Sequence, residues 1–186
     1  MTRTFAARPL LILVALALMG SQNADAQVRR GRAVDSGPRW APVSIGARFG
    51  WDQSANGETA GLQIRIPLVR SGVVEFMPNA ELIYPNRPRE SQYNLELMYI
   101  PGGVRGGVFI GGGVGWRTTT VVNTGPSQPE QRLFGYTLAL GGTTNLGPIR
   151  VEATLRWIFL RNSTYRPNPV TLGISLPLWS AGPQGS

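Results

Sequence analysis

Glu75 and Glu81, in the stretch VVEFMPNAELIY, are a carboxylate pair of the residue type that general acid–base chemistry uses. Their even separation puts both on one face of an extended segment, because side chains alternate along a strand. The chain contains neither His nor Cys. That excludes imidazole bases, thiol nucleophiles, disulfides and histidine-held metals. With arginines on neighbouring segments, the two glutamates are expected to form structural ion pairs. GGGVGW, running to Trp116, lacks the Lys-Ser/Thr of a phosphate loop, and its spacing does not match the dinucleotide fingerprint. Its glycines are expected to permit close approach or curvature within a strand. No catalytic residue, cofactor or metal is therefore expected.

The elements that must position these residues share one pattern. In VSIGARFGWD every second residue is apolar: Val43, Ile45, Ala47, Phe49 and Trp51. Ser44, Gly46, Arg48, Gly50 and Asp52 lie between them. This is a strand period, and it recurs about eight times along the chain. TAGLQIRIPL sets Leu62, Ile64 and Ile66 opposite Gly61, Gln63 and Arg65. VVEFMPNAELIY sets Phe76, Ala80, Leu82 and Tyr84 opposite Glu75, Asn79 and Glu81. QYNLELMY sets Tyr93, Leu95, Leu97 and Tyr99 opposite Gln92, Asn94 and Glu96. In GVFIGGGVGWR, Val108, Ile110, Val114 and Trp116 stand opposite glycines and Arg117. LFGYTLALGG, IRVEATLRWIF and VTLGISLPL continue the alternation, with Arg150, Glu152 and Arg156 on the polar face of the second of these. VRSG, PGGVRG and TTNLGP read as short turns. QSANGE, PNRPRES, the polar stretch 118–131 and RNSTYRPNP are longer on the whole. Short links on one rim and longer ones on the other predict an all-β, eight-stranded antiparallel up-and-down barrel with both chain ends on the short-turn rim.

The 24 glycines and 15 prolines fit short strands and many turns. The formal charge is +8, and all 18 basic residues are arginine. No arginine-rich run is interleaved with aromatics, so no nucleic-acid partner is expected. Residues 1–26 read as a signal peptide: Arg3 and Arg8, the apolar run LLILVALALMG, then the small-x-small site ADA. Residues 27–41 lack periodicity and are expected to be a flexible segment. The barrel is expected to occupy 42–179, followed by a tail, 180–186.

Alternation alone fits two barrels. A soluble lipocalin-like barrel turns its apolar face inward, and a membrane barrel turns it to lipid. The polar face here is rich in Gly, Ser, Thr, Asn and Gln, and the chain has no Lys. Its strand charges balance, Asp52, Glu75, Glu81, Glu96 and Glu152 against Arg48, Arg65, Arg117, Arg150 and Arg156, as a closed interior requires. Trp51, Tyr84, Trp116, Trp157 and Phe159 gather towards the long-loop rim, and Tyr99 and Trp179 towards the other, as in an interfacial aromatic girdle. These features predict a transmembrane barrel with a charged lumen and lipid against its apolar face.

On this pattern the chain resembles the small bacterial outer-membrane β-barrels, the group of OmpA-type transmembrane domains, OmpX-like and opacity-like proteins. GGVFIGGGVGW is similar to the Gly-rich strand of many such barrels. TLGISLPL, with Thr171, Gly173, Leu176 and Leu178, resembles the C-terminal signal read by the barrel-assembly machinery, although WSAGPQGS runs on past it. The resemblance implies export to the outer membrane of a Gram-negative bacterium, with membrane lipid and the assembly machinery as partners. It also implies a plugged polar lumen with a structural or surface-interaction role. A narrow OmpW-like channel for small or hydrophobic solutes and a secreted lipocalin-like binder are the alternatives. Barrel enzymes of the lipid A deacylase, omptin and palmitoyl-transfer kinds rely on a His that this chain lacks. In such a setting the NST sequon at Asn162 carries no weight. Residues 118–131, the longest link, are the expected contact region.

Overall fold

The computed structural model describes residues 40–84, 90–119, 131–161, 163–164 and 166–180. The signal peptide, most of the flexible segment, the tail beyond 180, most of the longest link and the sequon asparagine lie outside these residues. Eight strands follow one another: β1 (Pro42–Asp52), β2 (Gly57–Pro67), β3 (Val74–Tyr84), β4 (Glu90–Tyr99), β5 (Gly107–Thr119), β6 (Gln131–Leu146), β7 (Ile149–Leu160) and β8 (Pro169–Ser180). Each pairs antiparallel with its neighbours, and β8 closes on β1. Alternation within each strand therefore becomes an inside and an outside, with no open strand edge. A 3₁₀ turn, Gly103–Arg105, precedes β5. No helix among the described residues is long and apolar enough to cross a membrane.

Two links differ from the sequence reading, each for a local reason. QSANGE was expected among the longer links, but only residues 53–56 leave the sheet. Asp52 Oδ1 accepts hydrogen bonds from the amides of Ser54 (2.9 Å) and Ala55 (3.2 Å), and Asn56 adopts φ 50°. An aspartate bonding the backbone just ahead of it, followed by Asn in the left-handed region, makes a tight turn. On the opposite rim, TTNLGP is mostly strand: β6 and β7 pair up to Leu146 and Ile149 around Gly147 and Pro148. The other two links of that rim are longer and bond to each other, Val104 N–H donating to the Ser71 carbonyl at 3.1 Å. Asn145 Nδ2 donates to the Val104 carbonyl at 2.6 Å, so the 3₁₀ turn is also tied to β6. Ala41, just before β1, joins this rim through its amide to the Arg70 carbonyl at 3.0 Å.

The seam between β1 and β8 carries a bulge. Val43 pairs with Trp179 but Ser44 with Pro177, leaving Leu178 as the extra residue. Proline has no amide to give to a ladder, and a bulge is where a strand tolerates one.

In the half of the interior nearer the short-turn rim, Met77, Met98, Ile100, Phe109 and Ala139 form a buried apolar cluster. The Gly-rich strand makes room for it. A Cβ added to Gly111 would lie 2.1 Å from Met98 Sδ. Gly111→Val is expected to destabilise the barrel by about 1–3 kcal/mol, the usual range for overpacking. Met98→Ala in the same chain should return part of that loss in a urea titration. A Gly111→Val variant as stable as the parent would show that the glycine is not there for space.

Candidate functional site

The interior is where the chemistry of this chain collects. On each strand the residues of polar parity point inward, and the closed sheet brings together side chains that lie far apart in sequence. Of the ten charges assigned to the lumen from the sequence, Arg48, Asp52, Arg65, Glu75, Glu81, Glu96, Arg117, Glu152 and Arg156 are all 2% exposed or less. Arg150 has a side chain 13% exposed.

They form three groups along the barrel. Near the long-loop rim, Arg117 meets Asp52 Oδ2 at 2.6 Å and Glu90 Oε2 at 2.5 Å. Asp52 thus caps its own turn with one carboxylate oxygen and holds β5 with the other. In the centre, Arg156 grips Glu96 through two bonds, Nε at 2.7 Å and Nη2 at 2.9 Å, and reaches Glu81 at 3.2 Å. Arg48 shares Glu81 at 3.2 Å and donates to Thr171 Oγ1 at 2.7 Å. The Asn79 amide donates to Glu96 at 2.9 Å and accepts from Asn94 at 2.7 Å, and Gln92 donates to Asn94. Towards the short-turn rim, Arg65 pairs with Glu75 at 2.7 Å and with Glu152. Arg150 completes this group on Glu75 at 2.8 Å and on Thr143 Oγ1 at 2.9 Å. Charge-assisted and two-pronged guanidinium–carboxylate bonds of this kind are what a low-dielectric interior demands of buried ions.

Both members of the carboxylate pair that resembled an acid–base dyad are held by arginine: Glu75 by Arg65 and Arg150, Glu81 by Arg48 and Arg156. Among the described residues no cluster of acids could hold a metal ion.

The sequence reading missed Glu90, which it left in a link. The residue is two positions before Gln92, on the same parity, and that is the signal that could have found it. It also missed the inward Met77, Met98 and Phe109, which share the parity of Glu75, Glu96 and Gly111.

The outer face is the converse. Leu62 is 62% exposed, Val108 70%, Tyr136 60% and Phe49 56%. Trp51 ends its strand's outward face at the long-loop rim, Tyr84 does the same on β3, and Trp116, Trp157 and Phe159 lie close below. Tyr99 stands at the opposite rim, and the side chain of Trp179 is not among the described ones. Three more aromatics join the upper band: Tyr93 stacks on Trp116 with centroids 5.7 Å apart, and Phe134 meets Tyr136 edge to face at 6.0 Å. On β8, Thr171 and Gly173 face the interior, whereas Leu176 and Leu178 face outward, each 49% exposed.

No family model matches the chain, and no curated protein matches its sequence. Among solved structures it is similar to the N-terminal β-barrel domain of Pseudomonas aeruginosa OprF, with 14% identity and a TM-score of 0.63 over 75% of this chain and 99% of that one. It is similar to Neisserial surface protein A, NspA, with 13% identity and a TM-score of 0.54 over 73% and 96% of the two chains. The outer membrane enzyme PagL matches with 16% identity and a TM-score of 0.50 over 73% and 99%. The likeness is one of fold: the chain has the eight-stranded up-and-down barrel of these bacterial outer-membrane proteins.

Proposed function

We propose that this chain is a small, non-enzymatic outer-membrane β-barrel whose lumen is closed by its own side chains and whose role is structural or surface-interacting. One observation carries the reading: nine charged side chains are sealed within the cylinder at 2% exposure or less, while aliphatic and aromatic side chains cover its outside. A soluble monomer rarely exposes a continuous apolar surface of this extent, and a lipocalin-like carrier of apolar ligands would bury that face around its cavity. Hydrocarbon is the solvent that suits the outside, and a closed barrel leaves no backbone group unpaired in it. Export by residues 1–26 and insertion through recognition of β8 belong to the same reading.

With eight strands the interior is just wide enough to be filled by side chains. Here the three ion-pair groups and the cluster around Met98 occupy it. Purified protein in planar bilayers is accordingly expected to show no conductance at the level of general porins. Steady conductance of that size would overturn the closed lumen, and a solute-dependent uptake defect on deletion would favour a narrow channel. Fractionation tests the location: the barrel should be found in outer-membrane fractions and migrate differently on gels before and after boiling.

A further inference from the structure

The basic surplus of the described residues lies outside the interior. Within it, five arginines face six carboxylates: Asp52, Glu75, Glu81, Glu90, Glu96 and Glu152. On the exterior of the described residues stand Arg70, Arg105, Arg132, Arg161 and Arg166, with Glu58 as the single acid. Three of the five, Arg132, Arg161 and Arg166, gather at the long-loop rim over β6 and β7. Arg166 lies 5.9 Å over the ring of Phe159. Arg161, whose amide bonds the Phe134 carbonyl, is next to that aromatic, and Arg132 is two residues beyond it on the same face.

Below Leu82 on β3 and Ser91 on β4, two strands from Arg132, the strand register builds a trough. On β3 the outward Pro78 and Ala80 are small, and they lie between Leu62 and Ile64 on β2 and Tyr93 and Leu95 on β4. The trough is almost wholly apolar and ends at the Tyr93–Trp116 stack. The same stack floors a second cleft of ≈ 430 Å³, one register step higher, lined by Ser91, Thr118, Glu90 and Arg132. An apolar channel thus leads into a polar shelf with a guanidinium at its edge. Arg132 forms no ion pair with any described residue, whereas Glu90 is committed to Arg117.

We propose that this face holds one phosphorylated glycolipid, an acyl chain in the Ala80 trough and the head group on the shelf. This rests on the membrane reading above. The occupant follows from the chemistry of the lining. The guanidinium of Arg132 pairs with a phosphate, the Ser91 and Thr118 hydroxyls bond sugar hydroxyls, and the aromatic stack offers an apolar wall to a sugar ring. The two clefts adjoin at Tyr93 and Trp116, so one molecule carrying both an alkyl chain and an anion spans them.

The test is native mass spectrometry of the full chain, purified in detergent, with three added lipids: diphosphorylated lipid A, phosphatidylglycerol and phosphatidylethanolamine. Lipid A is expected to be retained at least tenfold better than either phospholipid. Arg132→Gln and Ala80→Trp should each reduce that retention at least fivefold, and Arg105→Gln, at the other rim, should leave it unchanged. Heat-modifiable migration of every variant reports that the barrel is intact. Equal retention of phosphatidylglycerol and lipid A, or an Arg132→Gln variant that behaves like Arg105→Gln, overturns the site while leaving the membrane barrel standing. A parent chain that forms no heat-modifiable barrel in detergent overturns both.

Discussion

Arg156→Met is expected to lower the unfolding free energy by about 3–5 kcal/mol, the range for removing one partner of a buried ion pair. Arg156 is fully enclosed and, among the described residues, is the only arginine bonded to Glu96, whose side chain is equally enclosed. Methionine fills most of the volume but leaves Glu96 with the Asn79 amide and no guanidinium in direct contact, Arg48 acting on it only from a distance. Glu81 is affected less, because Arg48 still holds it. The discriminating measurement is the double variant. Arg156→Met with Glu96→Gln removes both charges and keeps an oxygen for Asn79, so most of the lost stability should return in urea titrations of protein folded into lipid vesicles. If the double variant is no more stable than the single one, the loss comes from packing, and the buried charge is not the reason the pair exists.

Leu62→Arg is expected to lower stability by about 2–4 kcal/mol, the penalty for arginine at the middle of a lipid-facing strand. Leu62 sits at the centre of β2 and is 62% exposed. In water such a change at an exposed site is worth no more than about 0.5 kcal/mol in either direction. The two solvents therefore give answers that do not overlap. Tyr99→Arg, at the end of β4, should lose only about 0–1 kcal/mol, because a long side chain near the interface can place its charge among head groups. Equal, near-zero effects at both positions would mean that water meets the outer face and would end the membrane reading.

The side of the sheet on which each residue falls was legible from the chain alone. Parity set Arg48, Glu81, Glu96 and Arg156 on one face and Phe49, Leu62 and Leu97 on the other, and the barrel places them so. Alternation says nothing about ends, however. Glu90 was read as part of a link because PNRPRES looks like one, yet it pairs with the level of Ile83 and reaches Arg117. The tightness of the turn after β1 was equally hidden, since it depends on Asp52 Oδ1 accepting the amides of Ser54 and Ala55 and on Asn56 in the left-handed region.

Sequence by itself determined the strand period, the strand number, the shared parity of the charges and the absence of His and Cys chemistry, because each is a property of neighbouring residues or of composition. Tertiary structure alone decided which arginine meets which carboxylate, where the Met98 cluster sits, and that Ala80, Tyr93, Trp116 and Arg132 line one continuous outer face. The physical reason is closure. A strand can slide by two residues past its partner without changing which face any side chain occupies. Only the register and stagger at which eight strands close into a cylinder choose among those positions.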